Sequence, residues 1–319
     1  MVVKTQFTQD DFVKILSQYD LGTYIRSAAL QQGTVQTTFF IQTDQGKFVF
    51  RYYENRSKES VLFERDLLIY LTERRYPCPT PFKNRQGAYV GMFDDKPYVI
   101  FEFMEGRHIE HPNIHHRQQI IQKVAELQTL TMNFRSPYIS SRWNYEPGLC
   151  RALAQAEATK INTKDAREKL AWLEHTLTTL HLPPALPKGV CHCDFHYSNL
   201  LFRDDKFVAL LDFDDANYTY PQFDLVGLIE YWAWPFDAEI LNMAQARDVV
   251  QAYMKHRPLS AIEQQSLYDV YKLSILIDCV WFFGRGPADD FYEKRKIDAL
   301  TNLGRERFCE ELFDNITLA

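Results

Sequence analysis

The sequence has no uninterrupted apolar run of about 18 residues, which a membrane-spanning helix needs, and no apolar segment at its start that would mark a secretion signal. Its six cysteines form no CxxC pair and no spacing typical of a disulfide framework. Positive charge is also scarce, since 36 Lys and Arg stand against 42 Asp and Glu. These absences predict a cytoplasmic protein with reduced thiols and argue against a membrane or nucleic-acid role.

Apolar and aromatic residues, by contrast, are plentiful. The chain has 319 residues, of which 46% are hydrophobic and 14% aromatic. This length exceeds what one core usually supports, so two lobes are expected. We predict an α+β protein with a small N-terminal lobe (residues 1–103), built from an antiparallel sheet and a helix. Residues 104–319 should form a larger, mainly helical lobe.

The element pattern supports this division. Thr8 and Asp11 predict a capped first helix, and apolar runs at residues 39–41 and 48–53 predict a β-hairpin. The polar loop around Gly33 is compatible with a phosphate-covering loop or an ordinary turn. Further strands are predicted over residues 87–91, 96–104 and 207–211. Further helices are predicted over residues 57–75, 113–131, 147–160, 163–180, 223–232, 237–255, 261–283 and 287–312.

The most informative stretch is residues 190–225. It contains His192-x-Asp194-x-x-x-x-Asn199, then an apolar strand, then Asp212-Phe-Asp214. Phosphoryl transfer needs a metal on the phosphates and a group that orients or deprotonates the attacking hydroxyl. Asp212 with Asn199 offers the carboxylate and amide oxygens that Mg²⁺ takes. Asp194 is then left to accept the hydroxyl proton.

A zinc site is a poor alternative for the same stretch. Cys191, His192, Cys193 and Asp194 are consecutive, and adjacent side chains alternate in direction on an extended chain. They are therefore not expected to converge on one metal ion. His192 is predicted to support the loop.

These motifs resemble the signature of the aminoglycoside phosphotransferase/choline kinase family, relatives of the protein kinases. The resemblance implies a protein-kinase-like two-lobe fold with ATP and Mg²⁺ as cofactors. It implies that Asp194 is the catalytic base, that Asn199 and Asp212 bind metal, and that Asp224 is structural.

The resemblance extends through the small lobe. It implies that Arg51 pairs with nucleotide phosphate, that Glu64 pairs with that cation, and that Glu102 and Met104 belong to the adenine-binding hinge. The family usually has lysine at the position of Arg51. Arginine keeps the charge but places it in a longer planar fork.

The acceptor is expected to be a small-molecule hydroxyl, because only eleven residues separate Asp212 from Asp224 and no protein-kinase activation loop fits there. Several short segments are most similar to bacterial type II homoserine kinases, which favours homoserine. Choline, aminoglycosides, or a nucleotide-binding regulator without transfer activity remain alternatives. Nothing in the sequence indicates oligomeric state.

Two helical segments, residues 230–236 and 278–286, are candidate acceptor sites. For homoserine, Asp278 or Glu230 would bind the ammonium group and Arg285 the carboxylate. For a quaternary amine, aromatic side chains would form a cage. The candidates for that cage are Tyr231, Trp232, Trp234 and Trp281, which are also spaced as helical core residues.

Overall fold

The computed structural model describes residues 4–30 and 35–313. The predicted loop at Gly33 lies outside the described residues. The chain divides into two compact units. The first comprises the described residues within Met1–His116, Asn133–Arg142 and His196–Asp214; the second comprises those within Arg117–Met132, Trp143–Phe195 and Asp215–Ala319. A domain boundary between residues 103 and 104 stays a prediction.

The elements run as follows along the chain. The helices are α1 (Gln9–Leu16), α2 (Lys58–Glu73), α3 (Ile114–Leu130), α4 (Pro147–Ile161), α5 (Lys164–Thr178), α6 (Gln222–Ala233), α7 (Met243–Met254), α8 (Ala261–Trp281), α9 (Tyr292–Leu303) and α10 (Arg305–Phe313). The strands are β1 (Tyr24–Ala29), β2 (Thr37–Thr43), β3 (Gly46–Tyr52), β4 (Val90–Phe93), β5 (Lys96–Glu102), β6 (Gly189–Cys191), β7 (Leu200–Arg203), β8 (Lys206–Leu210) and β9 (Asn217–Thr219). Short 3-10 helices cover Thr131–Asn133, Ile139–Ser141, Tyr197–Asn199 and Phe213–Asp215.

The first unit is built on a five-stranded antiparallel sheet in the order β1-β2-β3-β5-β4. The predicted capped helix is α1, where Thr8 and Asp11 exchange hydrogen bonds as a capping box. Its Phe12 packs edge-on against Phe50 of β3, with ring centroids 5.4 Å apart. The apolar face of α1 therefore covers one face of the sheet, and β3 lies at the centre of the sheet.

A second element of this unit is the two-stranded hairpin of β7 and β8. Its first strand begins directly after Asn199, and its second ends two residues before Asp212. The backbone N–H of Leu211 donates to the carbonyl oxygen of Asn199 at 2.8 Å. The hairpin thus brings the two predicted metal ligands to the same open end.

The second unit is mainly helical, with one small sheet of β6 and β9. Helix α8 is its longest helix and is buried along most of its length. Helices α6 and α8 contribute much of the apolar core of this unit. Core residues on these two helices include Leu225, Val226, Ile229, Val270, Leu273 and Ile277.

Several sequence predictions differ from the structure in detail: the strand predicted over 87–91 is β4 at Val90–Phe93, and β1, β6, β7 and β9 were not predicted. The helix predicted over 237–255 begins only at Met243, because the side chain of Asn242 accepts from the backbone N–H of Gln245 and caps it there. The helix predicted over 287–312 is two helices, separated at Gly304 with φ 81°. Strand β1 was missed, because its side chains are mostly exposed and show no alternation of apolar residues.

The α+β class, with an antiparallel sheet in the N-terminal part and helices in the C-terminal part, is confirmed. Among the described residues, no helix is both long enough and apolar enough to cross a membrane.

Candidate functional site

Arg51 is held at the centre of the first unit's sheet. It lies on β3, between Thr38 of β2 and Val99 of β5. Its Nη1 is 2.8 Å from Oδ1 of Asp212 and 3.8 Å from Oε1 of Glu64. Its Nε is buried and makes no hydrogen bond among the described residues. The structure therefore brings together the predicted phosphate-binding cation, its helix partner and a predicted metal ligand.

Glu64 reaches Arg51 from α2 and is almost completely buried. The hydroxyl of Tyr53 donates to its Oε2 at 3.0 Å. Burial raises the pKa of Glu64, and the positive charge of Arg51 opposes only part of that increase. Tyr53 is a supporting residue that sequence reasoning missed.

Asp212 is placed by an unusual backbone conformation. Its φ of 61° lies in the left-handed region, which costs a non-glycine residue about 1–3 kcal/mol. Its side chain is 35% exposed, whereas Asn199 is buried. One carboxylate and one amide oxygen at the end of a single hairpin fit the donors that Mg²⁺ prefers. Oδ1 of Asp212 already accepts from Arg51, so a metal would take Oδ2 or share Oδ1 with the guanidinium.

The second carboxylate of the Asp-Phe-Asp motif has a structural role that the sequence did not reveal. Asp214 accepts from Arg56 Nε at 3.0 Å and Nη2 at 3.2 Å, and from Gln36 Nε2 at 2.8 Å. Burial raises the pKa of Asp214, but the charge and hydrogen bonds of Arg56 hold it below its ordinary value. Arg142 also donates to the carbonyl oxygen of Asp214. Gln36, Arg56 and Arg142 therefore hold the segment after Asp212 in place.

The predicted hinge follows β5. Glu102 is the last residue of that strand, and Met104 lies two residues beyond it. Gly106 then passes so close to β7 that an added Cβ would lie 3.0 Å from Leu201 Cβ and 3.2 Å from the carbonyl oxygen of Phe202. A larger residue at position 106 would push the hinge away from the hairpin.

In the second unit, Asp224 holds the loop that carries Asp194. Its carboxylate accepts from the backbone N–H groups of His192 at 3.1 Å and Cys193 at 2.9 Å, and from Gln128 Nε2 at 3.1 Å. Burial raises the pKa of Asp224 to about 6, although these hydrogen bonds work in the opposite direction. The structural role predicted for Asp224 matches these contacts.

His192 also supports the loop, as predicted. It is fully buried, and the backbone N–H of Asp194 donates to its Nδ1 at 3.3 Å. Cys193 has φ 63°, another left-handed residue, directly before Asp194. The backbone leading into Asp194 is thus fixed by buried groups.

The two cysteines of this loop lie closer to a third potential metal ligand than the sequence predicted. One ligand atom each from Cys191, Cys193 and Asp224 lies within 4.8 Å of the others. The sequence argument against zinc considered only consecutive residues and did not include Asp224. However, the oxygens of Asp224 already accept the backbone hydrogen bonds, and Cys191 Sγ donates to Tyr220 O at 3.2 Å. These groups serve as loop supports in this structure.

Both predicted acceptor carboxylates also lie in the second unit. Glu230 on α6 accepts from Lys296 Nζ on α9 at 2.6 Å. Asp278 on α8 is exposed, yet desolvation is the first cause that raises its pKa to about 7, followed by the charge of Glu230. The negative charge of Asp194 contributes to the same increase.

Two of the four aromatic-cage candidates, Trp234 and Trp281, have separate partners, which disfavours a cage that contains both. Trp234 is buried and its ring lies under Lys296 Nζ at 4.7 Å. Trp281 stacks on Trp143, with ring centroids 5.4 Å apart. Arg285 is exposed, and its guanidinium lies 3.5 Å from the ring centre of Phe282. Arg285 is not paired with either acceptor carboxylate among the described contacts.

Similarity to known proteins extends over most of the chain. A profile of the phosphotransferase enzyme family matches residues 28–259. The homoserine kinase of Caulobacter sp. (strain K31) is 28% identical over 312 residues, covering 93% of this chain and 89% of the relative. The homoserine kinase of Afipia carboxidovorans is 30% identical over 271 residues, covering 84% of this chain and 81% of the relative.

Solved structures show the same fold. Amicoumacin kinase hAmiN, in complex with AMP-PNP, Ca²⁺ and Ami, has a TM-score of 0.68 at 15% identity, covering 97% of this chain and 94% of that chain. A microcompartment-associated aminopropanol kinase has a TM-score of 0.60 at 17% identity, covering 93% and 94%. The protein-kinase-like fold predicted from the motifs is confirmed.

Proposed function

Because the chain belongs to the phosphotransferase enzyme family, we propose that it transfers the γ-phosphoryl group of ATP to a hydroxyl of a small molecule, with homoserine as the favoured acceptor. The observation that carries this proposal is the group of Arg51, Glu64 and Asp212 at the centre of the first unit. It supplies a buried cation beside a carboxylate suited to metal. Homoserine is favoured because homoserine kinases match nearly the whole chain.

In this proposal, each of the chain's functional residues has a separate role. Arg51 binds the phosphates, and Glu64 keeps its guanidinium in place. Glu102 and Met104 contact adenine at the hinge. Asn199 and Asp212 hold a divalent metal, Mg²⁺ in our proposal, which neutralises charge that develops on the phosphates when it is bound.

Asp194 accepts the proton of the attacking hydroxyl. Its backbone is fixed by Asp224 and His192, so its carboxylate is positioned before the substrate arrives. We place the protein in the cytoplasm, with a small molecule as its substrate and with neither nucleic acid nor membrane as a partner.

The direct test is Mg²⁺-dependent ATP consumption measured across a panel of hydroxyl acceptors. The panel contains homoserine, choline, methylthioribose and aminoglycosides. We expect homoserine to stimulate ATP consumption and a phosphorylated product to appear in equal amount. If every acceptor fails, the transfer proposal is wrong.

One observation favours a second candidate, a nucleotide-binding regulator without transfer activity. Arg51 is already bonded to Asp212 at 2.8 Å, and this pair removes one oxygen of the predicted metal ligand. A regulator would show ATP-dependent thermal stabilisation with no acceptor-dependent turnover. The same acceptor panel, read together with a melting curve in ATP, separates the two functions.

A further inference from the structure

A line of buried polar side chains continues from Asp224 into the helical core of the second unit. We call this line the support network, and its members come from α3, α7, the segment after α7 and the first turn of α8. They are Gln128, Tyr253, Arg257 and Glu263, all of which belong to the second unit. The first two are 4% and 0% exposed. Their hydrogen-bonding groups therefore depend on partners within the protein.

Gln128 connects the support network to Asp224. Its Nε2 donates to Oδ2 of Asp224 at 3.1 Å and to the carbonyl oxygen of Pro221, directly before α6, at 2.6 Å. Its Oε1 accepts from the hydroxyl of Tyr253. An amide nitrogen has two N–H groups, so both are used. Because a reversed amide would place its oxygen against two acceptors, the side chain is fixed in one orientation.

Arg257 determines the direction of these hydrogen bonds. A guanidinium group only donates, and it stays protonated in proteins. Its Nη1 donates to the hydroxyl oxygen of Tyr253 at 3.3 Å, so the single hydroxyl proton is directed to Gln128. The donors consequently point the same way from Arg257 to Asp224. Asp224, at the end of this line, thus faces an N–H donor and not a second acceptor.

Arg257 is itself held at the start of α8. Its Nη2 lies 2.6 Å from Oε1 of Glu263, and the two side chains are 13% and 5% exposed. Oε2 of Glu263 accepts from the backbone N–H of Ser260 at 3.0 Å and from its hydroxyl at 2.8 Å, which closes the capping box of that helix. The support network therefore begins at a fixed helix end and finishes at Asp224.

We propose that Gln128 and Tyr253 are positioning residues for the predicted base Asp194. They act through Asp224, whose carboxylate accepts from the backbone N–H groups of the two residues directly before the base. Gln128 is the side-chain donor that holds this carboxylate in the orientation in which both bonds form. The inference rests on the proposed phosphotransfer, because Asp194 is the base of that reaction. Loss of either positioning residue should loosen the loop that carries the base.

This role has a pH signature. Burial raises the pKa of Asp224 to about 6, and the hydrogen bond from Gln128 lowers it. Without that donor the ionised carboxylate is less favoured, so its pKa should rise. A protonated Asp224 accepts the backbone N–H groups less well. Turnover should therefore be lost at a higher pH, as pH falls, when the donor is missing.

The titratable and charged side chains around Asp224 come from β6, the loop after it, α7 and the segment after α7. They are Cys191, His192, Cys193, Tyr253 and Arg257. Burial raises the pKa of both thiols and of the tyrosine hydroxyl, so these groups stay neutral near pH 6. The arginine stays protonated. The imidazole is the same in every variant below, so a difference between variants reports on Asp224.

The test compares two tyrosine variants of the full-length protein. Tyr253→Phe removes one hydroxyl from the support network and leaves the buried ring. The matched control is Tyr268→Phe, because that hydroxyl is also buried and donates to the carbonyl oxygen of Leu300 at 3.0 Å. With homoserine as acceptor, Tyr253→Phe should lower kcat about threefold to tenfold and leave the KM for ATP within about twofold. The control should keep the kcat of the wild type, and an equal loss in both variants would overturn the proposal.

Gln128→Leu is the second variant, and it removes the donor to Asp224 outright. Its kcat should fall at least as much, and the pH at which kcat reaches half of its maximum should move upward by about one unit. Tyr253→Phe should shift this pH in the same direction by less. The control Tyr268→Phe should keep the wild-type profile. An unshifted profile in Gln128→Leu would contradict the role of Gln128.

Hydrogen exchange provides a measurement that needs no turnover. Mass spectrometry of peptides covering residues 190–195 follows the backbone N–H groups that Asp224 accepts. Exchange there should be at least about threefold faster in Tyr253→Phe and in Gln128→Leu, whereas peptides of α9 and α10 should exchange as in the wild type. Unchanged exchange in the loop, or an equal increase in all these peptides, would show that the two residues do not position it.

Exchange and turnover separate this inference from the proposed function. If the loop exchanges faster in both variants but no acceptor is phosphorylated, the support of the loop stands and the transfer activity is wrong. If the wild type and both variants phosphorylate homoserine equally well, the transfer stands and the positioning role is wrong.

Discussion

The charged groups of the two units are arranged in opposite ways. In the first unit, three carboxylates have a cation beside them: Arg51 lies between Asp212 and Glu64, and Arg56 pairs with Asp214. In the second unit, Glu230 pairs with Lys296, but Asp278 has no ion-pair partner among the described residues. The first unit thus pairs these carboxylates with arginines, whereas the second leaves Asp278 exposed and without such a partner among the described residues.

This difference separates the two binding tasks. A nucleotide with its metal brings both signs of charge, so a site with paired charges can exchange partners when the nucleotide binds. The second unit contains Asp194, the predicted base that acts on the acceptor hydroxyl. The comparison therefore predicts that changes in the two units affect different measurements.

The largest effect is expected from Asp194→Asn. Loss of a positioned base should lower kcat about 10²-fold to 10⁴-fold. ATP should still raise the melting temperature, because the predicted nucleotide-binding residues belong to the other unit. Steady-state kinetics with homoserine measures the loss. The control is Asp204→Asn, an exposed carboxylate of the β7–β8 turn, where asparagine tolerates the φ of 49°. Wild-type kcat in Asp194→Asn would contradict the role of Asp194.

Arg56→Ala tests whether the paired charges of the first unit are structural. Arg56 and Asp214 have 7% and 9% of their side chains exposed, so removing the arginine leaves a buried carboxylate with Gln36 as one remaining donor. We expect the free energy of unfolding to fall by about 3–5 kcal/mol. Urea unfolding measures it.

The control for this variant is Lys47→Ala, because Lys47 and Glu105 form an ion pair that is about half exposed. Its cost should stay below about 1 kcal/mol. Equal costs for the two variants would show that the Arg56 pair contributes no more than a surface pair.

Variants of Arg51 test the predicted nucleotide site alone. Arg51→Ala should raise the KM for ATP about 10-fold to 100-fold, since a charged hydrogen-bond donor is lost. Arg51→Lys keeps the charge and should stay within about tenfold of wild type. Neither variant should change the relative affinity for homoserine and 4-hydroxybutanoate. A large shift in that preference would break the assignment of separate tasks to the two units.

The smallest effect is a pH dependence of stability. The pKa of Asp224 is about 6 in the folded protein and has an ordinary value of 3.8, so the folded state binds more protons between these values. Its contribution to stability is fully present below about pH 3.8 and is lost as pH rises through about 6. Between pH 4 and 6, wild type should lose up to about 1.4 kcal/mol more per pH unit than Asp224→Asn. Parallel slopes in urea unfolding would contradict this role of burial.

Local sequence was sufficient for much of the fold. The capping box at Thr8, the hairpin of β2 and β3 and the helical periodicity of α2 and α8 are set by neighbouring residues, and each is confirmed. Strand β1 could not be predicted, because its hydrogen bonds to β2 rather than its side chains define it. The break at Gly304 was missed because apolar spacing continues on both sides of it.

The sequence also indicated the chemistry of residues 190–225. Asp194, Asn199 and Asp212 lie within nineteen residues, and their types and spacing match one reaction. Their roles remain predictions. The contacts that support Asp214 could not be predicted from the sequence. Gln36, Arg56 and Arg142 lie far from Asp214 along the chain and carry no pattern that marks them as its partners.

The sequence by itself therefore determined the family resemblance, the order of elements and the residue types for phosphoryl transfer, since those depend on short-range spacing. Only the tertiary structure decided how charge is distributed. It paired Arg51 with Asp212 and Glu230 with Lys296, and it left Asp278 exposed without an ion-pair partner among the described residues. Burial and long-range packing set these pairings, because the free energy of a charge depends on which groups surround it, and chain order does not specify those groups.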